Sequence, residues 1–365
     1  MHRVWAGLIA GALTLSVAAC GSALTAPESA GDVNANHGAE IGIAMPTKRQ
    51  TRWTADSANM VEQFTAMRYK TDVQFADDNV KKQITQIQAM IDKGVELLVV
   101  VAVDGASLNQ VLAGAARKHI PVIAYDHLIL GTKDVDYYAT FDNVRVGVQQ
   151  GQLLARRLRL PGAAGPFTLE LIAGSLIDNN SKVFFDGAMS VLKPSIDSGK
   201  LVVRSGQTGF KKVSTENWDG VIAAKRMNEI LKKYYTSENL DAVLSPNDSI
   251  AGEVIKTLDK NGYGTSAKPM PLITGQDAEL TSVKSIIAGR QTGTIYKDTR
   301  ELAKATVQMS NAILTGTTPI VNDTTTYDNG VKIVPTYLLA PISVDRTNYR
   351  TLLVDGGYYR QADLN

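Results

Sequence analysis

Seven short polar clusters follow apolar runs in the chain, and their side chains are the groups that could do chemistry. They are Arg52-Trp53, Asp126-His127, Asp142-Asn143, Asp178-Asn179-Asn180, Asn247-Asp248, Gln276-Asp277 and Lys297-Asp298. Carboxylate, amide and cationic groups make charge-assisted hydrogen bonds to hydroxyls, which both donate and accept. One such cluster is ordinary loop chemistry, but seven at corresponding places predict a polar cleft for a hydroxyl-rich ligand such as a sugar.

Two of the three tryptophans, Trp53 and Trp218, stand beside these clusters, while Trp5 lies near the N-terminus. Sugars expose patches of ring C–H that pack against an aromatic face. We therefore expect Trp53 and Trp218 to contact a sugar ring. The alternative for each is that it packs at the start of a helix.

From Glu40 onward, short apolar runs alternate with stretches of helical periodicity such as Ile84, Ile87 and Ile91. This alternation predicts parallel sheets covered by helices, and a second series of the same kind begins near Val144. A chain of 365 residues exceeds the size at which one core keeps growing, so two α/β lobes are expected. In such sheets ligands bind beyond the carboxyl ends of the strands, where the polar clusters stand.

Composition excludes several classes of function. The net charge is +2 and Lys and Arg occur in short pairs, so no nucleic-acid partner is expected. The four histidines, His2, His37, His119 and His127, are scattered along the chain and predict no metal site. The common hydrolase, metalloprotease and nucleotide-binding motifs are missing, so neither a cofactor nor an enzyme is expected.

The N-terminus predicts export. A short polar start and the apolar run Val4–Val17 precede Ala18, Ala19 and Cys20, the sole cysteine. The sequence VAAC resembles the bacterial lipobox, which implies a signal peptide over 1–19, acylation of Cys20 and a flexible tether over 20–39. The alternatives are a cleaved secretory peptide with an incidental cysteine, or an uncleaved anchor helix. The fold must also hold without a disulfide.

Several longer motifs, in order along the chain, resemble the bacterial xylose-binding and multiple-sugar-binding periplasmic proteins. They are AMPTKRQTRW from Ala44, IAYDHL from Ile123, YYATFDN from Tyr137, GSLIDNN from Gly174, SPNDS from Ser245, GQDA from Gly275 and TIYKD from Thr294. The resemblance implies the type I periplasmic-binding fold, with two Rossmann-like lobes joined by a three-strand hinge around a ligand cleft. It places crossovers near 143, 277 and 322, so the lobes would be 40–143 plus 278–322 and 144–277 plus 323–365.

The same resemblance implies a set of sugar contacts. They are Arg52, Trp53, Asp126, Asn180, Trp218, Asn247, Asp277 and Lys297, with Asn143 as a lesser candidate. His127 stands where the family usually has Arg, so it either contacts the sugar or packs beside the cleft.

The implied function is that of a monomeric, lipid-anchored receptor on the outer side of a membrane. It would bind D-xylose or a related aldopentose or aldohexose by hinge closure and deliver it to an ABC-type membrane permease. A chemotaxis or sensor membrane protein is an alternative partner. Asp126 and Asp277 could alternatively be a glycosidase pair, but cationic neighbours would keep both ionised. A sugar-responsive repressor shares the fold, but its DNA-binding segment would stand where this chain has a leader and tether.

Overall fold

The computed structural model describes residues 38–160, 162 and 165–364. The strands of this part are β1 (Glu40–Met45), β2 (Lys70–Phe75), β3 (Leu97–Val100), β4 (Val122–Tyr125), β5 (Tyr137–Phe141), β6 (Phe167–Leu171), β7 (Leu201–Val202), β8 (Ala242–Leu244), β9 (Leu272–Ile273), β10 (Gly293–Tyr296), β11 (Thr336–Leu339) and β12 (Ile342–Asp345).

The α-helices of the same part are α1 (Thr51–Ala66), α2 (Val80–Lys93), α3 (Asn109–Arg117), α4 (Asn143–Arg157), α5 (Asn179–Asp197), α6 (Phe210–Val213), α7 (Gly220–Tyr234), α8 (Asp248–Lys260), α9 (Leu280–Ile287), α10 (Thr299–Leu314) and α11 (Gln361–Leu364). A short 3₁₀-helix spans Glu216–Trp218 and a π-helical segment spans Arg350–Asp355.

The first lobe is built on a six-stranded parallel sheet in the order β2-β1-β3-β4-β5-β11. Its central strands are buried on both faces, which explains continuous apolar runs such as Leu97–Val100. Helices α2 and α3 cover one face through side chains such as Ile87 and Leu112. Helices α1 and α10 cover the other through side chains such as Phe64 and Leu302.

The second lobe is built on the parallel strands β7-β6-β8-β9. Strand β10 lies beside β9, because the amide of Ile295 donates to the carbonyl of Gly275, and β12 pairs with β10 in the antiparallel sense. Helices α7 and α8 cover one face and helices α4 and α5 the other. The predicted α/β architecture with two parallel sheets is therefore confirmed.

The chain crosses between the lobes three times, but two crossings lie later than expected. The first, between β5 and α4, falls at Asn143 as predicted. The second falls after β10 and not near 277, because α9 packs on α8 and β10 belongs to the second sheet. The third falls after β11 and not near 322, because β11 pairs with β5. Residues 278–296 therefore belong to the second lobe and residues 323–340 to the first.

Helices α4 and α5 approach each other closely because glycines stand where they meet. A Cβ on Gly147 would overlap the backbone of Phe184, and one on Gly187 would lie 2.5 Å from the carbonyl oxygen of Val144. The two helices begin at Asn143 and at Asn179. Their contact therefore fixes the position of the first two turns of α5 relative to the first crossing.

The predicted signal peptide and Cys20 lie outside the described residues. Within the ranges that the structure describes, no helix combines the length and the apolar character needed to cross a lipid bilayer.

Candidate sugar-binding cleft

One cleft lies where the carboxyl ends of the strands of both sheets face each other, and it encloses about 520 Å³ free of protein atoms. Nine of the ten residues predicted from the sequence line it. They are Arg52 and Trp53 in the first turn of α1, Asp126 and His127 after β4, Asn180 on α5, Trp218 before α7, Asn247 before α8, Asp277 after β9 and Lys297 after β10.

Asn143, the tenth predicted residue, lies behind the cleft and does not line it. Its Nδ2 donates to Oδ1 of Asn180 at 3.0 Å. Asn180 in turn donates from Nδ2 to the backbone carbonyl of Asp126 at 2.7 Å. Asn143 therefore orients Asn180 and does not itself line the cavity.

Arg52 is the centre of the charge network in the cleft, and its side chain is buried. The guanidinium donates to Asp126 at 2.8 Å, to Asp277 at 3.1 Å and to Asp56 at 3.1 Å. Burial alone would lower the pKa of Arg52, but the charges of Asp126, Asp56 and Asp277 raise it well above its usual range. The guanidinium is therefore a permanent cation inside the cleft.

Lys297 is a second buried cation, 2% exposed, on the segment that crosses from β10 to α10. Its Nζ lies 2.9 Å from Oδ1 of Asp277 and 4.0 Å from Oδ2 of Asp126. Burial would raise the pKa of Asp126, but Arg52 and Lys297 outweigh it and hold that pKa below its usual range. Asp126 is therefore a carboxylate, which accepts hydrogen bonds.

Asp56 lies beneath Arg52 and receives a short hydrogen bond from the hydroxyl of Tyr125. Burial raises the pKa of Asp56 to about 6, against the lowering effect of Arg52 and of the Tyr125 hydroxyl. Asp56 supports Arg52 from α1 and does not line the cavity.

The two tryptophans that the sequence singled out have different surroundings. Trp53 is 3% exposed and belongs to the core of the first lobe, with Arg52 over its ring. Trp218 is half-buried, donates from Nε1 to Asp178 at 3.2 Å, and lies so close to Gly174 that a Cβ there would overlap the indole. Trp218 therefore lines the cleft, whereas Trp53 both packs in the core and lines the cleft.

His127 joins three parts of the site. Nδ1 lies 2.7 Å from the carbonyl oxygen of Ala102, and Nε2 lies 3.3 Å from a carboxylate oxygen of Asp178 in the second lobe. The imidazole meets the ring of Trp53 edge to face, with centroids 5.2 Å apart. His127 therefore contacts both lobes while it lines the cavity.

Five residues of the cleft have positive φ angles although none is glycine. The angles are 58° at Asp78, 57° at Asp126, 48° at Asn217, 56° at Trp218 and 93° at Asp277. Such conformations cost on the order of 1–3 kcal/mol each and concentrate at binding sites. At Asp126 and Asp277 they turn the chain after β4 and after β9, so that both side chains reach Arg52.

Several residues that the sequence analysis did not select also line the cleft. They are Pro46, Gln50, Asp78, Val103, Ser175, Asp178, Phe184, Asn217 and Gln276. Asp178 and Gln276 stand inside polar clusters at strand ends, and Phe184 follows Asn180 by one helical turn on α5, so helical spacing could have identified it. The buried Oε1 of Gln276 has no hydrogen-bond partner in the described part of the chain, which leaves an acceptor for a ligand.

Comparison with known proteins places the chain in a family. A model of the periplasmic binding protein domain matches residues 41–318. The multiple sugar-binding periplasmic receptor ChvE of Rhizobium radiobacter is 53% identical over 324 residues, which cover 89% of this chain and 92% of that protein. The D-xylose-binding periplasmic protein of Escherichia coli is 35% identical over 328 residues, with coverage of 89% and 92%.

A solved structure supports the same family assignment. An ABC transporter solute-binding protein of Clostridium phytofermentans, crystallised with bound β-D-glucose, superimposes with a TM-score of 0.85 at 45% identity, covering 89% of this chain and all of that one (100%). Fold, cleft geometry and sequence similarity thus lead to one conclusion: the chain belongs to the periplasmic binding protein family.

Proposed function

We propose that this protein binds one monosaccharide, D-xylose or a related aldopentose or aldohexose, in the cleft between its lobes. The observation that carries the proposal is that one cavity brings Asp126, Asp277 and Lys297 together with Trp218 and Phe184. Carboxylates and cations satisfy sugar hydroxyls, and aromatic faces cover ring C–H groups. The nine cleft-lining residues named above are the proposed contacts, and Asn143 is proposed to position Asn180.

Closure of the lobes is the proposed mechanism. In the structure, Arg52 of the first lobe bonds Asp277 of the second, and Asn180 of the second lobe donates to the Asp126 carbonyl of the first. A sugar that adds hydrogen bonds to both lobes stabilises this closed arrangement relative to an open one. Contacts to one lobe alone would not shift the equilibrium.

The positions of the carboxyl groups of raised pKa support the proposal of binding without turnover. A glycosidase needs a protonated carboxyl group beside the sugar as general acid. Burial raises the pKa of Asp56 and of Asp248, yet neither side chain lines the cavity. Four carboxylates line it. Asp126 and Asp277 are paired with Arg52 and Lys297, Asp78 is paired with Arg49, and Asp178 lies 3.3 Å from Nε2 of His127. These groups favour a receptor over a carbohydrate-active enzyme.

The names of the relatives support a proposal for the cellular location and the transport partner of this protein. Two of them carry the names of sugar-binding periplasmic proteins, and the structural neighbour is described as the solute-binding protein of an ABC transporter. We infer that this protein is exported, is anchored through Cys20 and presents its closed, loaded form to an ABC-type permease.

The proposal is tested with purified protein and a thermal-shift panel of xylose, arabinose, glucose, galactose, ribose and fucose. A sugar at 100 times its Kd should stabilise the native state by about 2.7 kcal/mol. Asp277→Asn should weaken binding of that sugar, whereas Asp259→Asn, at the far end of α8, should leave it unchanged. The proposal would be overturned if no sugar shifted the melting temperature, or if a bound sugar were converted to a new product on incubation.

A further inference from the structure

A second pocket adjoins the cleft and is built from both lobes. Gln50, Asn217 and Trp218 line both cavities and so form a wall that the two share. Val221, Ser249 and Glu253 complete its outer wall.

The groups in this outer pocket match those of the cleft in kind. The indole of Trp218 is shared, so an aromatic surface is present on the outer side as well. Gln50 from the first lobe and Asn217 from the second present amides that bond no other side chain in the described structure. Glu253 adds a carboxylate that is paired with Lys256 on the solvent side. Amides and a carboxylate beside an aromatic ring are the groups that recognise a sugar.

Arg49 makes ion pairs with both lobes at this place. Its Nε donates to Asp78 of the first lobe at 3.0 Å, and its Nη1 donates to Asp219 of the second at 3.1 Å. Asp78 lines the cleft, whereas Arg49 and Asp219 line the outer pocket. The outer pocket is therefore complete when the lobes are closed, and it adjoins the cleft at the side chains that both share.

We propose that the outer pocket is a second sugar subsite. Ligands of this protein would then include disaccharides and glycosides, with one ring in the cleft and the second ring or the aglycone beside Trp218, Asn217 and Glu253. This inference rests on the proposed function, because it assumes that the cleft holds a sugar.

Titration calorimetry with D-glucose, cellobiose, maltose, D-xylose and xylobiose tests the inference. At least one disaccharide should bind with a Kd within about tenfold of the Kd of its monosaccharide. A hydrogen bond from the second ring to the carboxylate of Glu253 changes Kd by about that factor. Glu253→Ala should weaken binding of that disaccharide about tenfold and leave monosaccharide affinity unchanged. The matched control Glu229→Ala, at an exposed position of α7, should change neither.

The outcomes separate the two proposals. If D-glucose or D-xylose bound and none of the three disaccharides did, the subsite would be refuted and the monosaccharide site retained. The subsite would be refuted in the same way if Glu253→Ala left the disaccharide affinity unchanged or weakened both classes of ligand equally. If neither monosaccharide bound, the proposed function itself would be refuted.

Discussion

The guanidinium of Arg52 and the carboxylate of Asp277 are 225 positions apart in the chain and meet at 3.1 Å across the cleft. Arg52 also bonds Asp56 and Asp126 within its own lobe. One buried side chain therefore balances three buried carboxylates and joins the two lobes.

Arg52→Ala should destabilise the protein by about 3–5 kcal/mol, because it leaves Asp126 and Asp277 with Lys297 as their remaining buried cation. Sugar affinity should fall as well. Urea denaturation and calorimetry measure the two effects. The control is Arg49→Ala, whose ion pairs lie at the surface and should contribute about 0–1 kcal/mol. Equal, small losses in both variants would contradict the assigned role of Arg52.

Asp56 predicts a dependence of stability on pH. Its pKa is raised from 3.8 to about 6 in the folded protein, so the native state holds this proton more tightly than the unfolded state does. The contribution of Asp56 is therefore fully present below pH ~4 and is lost as the pH rises through ~6, a change on the order of 3 kcal/mol.

Asp56→Asn tests this dependence. Asparagine keeps the shape of the side chain but cannot titrate, so the stability lost between pH 4 and 7 should be smaller in the variant than in the wild type. The free energy of unfolding, measured by urea denaturation at several pH values in that range, gives both slopes. Parallel curves for the two proteins would show that Asp56 titrates alike in the folded and unfolded states.

The two tryptophans should respond differently to substitution. Trp218→Ala removes a half-buried wall of the cleft and should weaken sugar binding by about 2 kcal/mol or more with little loss of stability. Trp53→Ala opens the core of the first lobe and should cost about 3–5 kcal/mol of stability in addition. Calorimetry and thermal unfolding separate the effects. Unchanged affinity in Trp218→Ala would remove this residue from the site.

Local signals in the sequence predicted most of the elements. Helix α2 spans residues 80–93 around the periodic Ile84, Ile87 and Ile91, because Asn79 caps its first turn and Gly94, with φ of 87°, ends it. The sheet to which β11 belongs could not be predicted in this way. Its partner β5 lies nearly 200 residues earlier, and nothing in a four-residue strand states which sheet it joins.

The site residues likewise divide into those that local sequence signals predict and those that they do not. Polar residues after strands converge because the carboxyl ends of parallel strands meet at one edge, so Asp126, Asp277 and Lys297 were predictable. Phe184 lies on a helix and reaches the cleft through the close packing of α4 on α5. Asn143 was selected for its place after β5, but its side chain turns toward Asn180.

The proposed lipid anchor has its own test, on a segment outside the described residues. Cys20→Ser removes the sulfur that would carry the acyl chains, and no other cysteine in the chain can replace it. The variant should therefore move from the membrane fraction to the soluble fraction, while its sugar affinity stays unchanged. If the variant stayed in the membrane fraction and were processed as the wild type is, the anchor would lie elsewhere.

The resemblance to the xylose-binding proteins implies Arg at position 127, and the His found there predicts a change in sugar preference. The imidazole contacts Ala102 and Asp178 and leaves more room than a guanidinium would. His127→Arg should fill that space and place a permanent fork of donors beside Asp178. We expect hexose affinity to fall relative to pentose affinity, since the larger ring loses room, while the remaining contacts still hold the sugar. His127→Gln is the control, because its amide offers hydrogen bonds without the added bulk or charge. Titration calorimetry of the three proteins with D-xylose, L-arabinose, D-glucose and D-galactose gives the ranking for each. The same ranking in the wild type and in His127→Arg would mean that His127 packs beside the sugar site without shaping it.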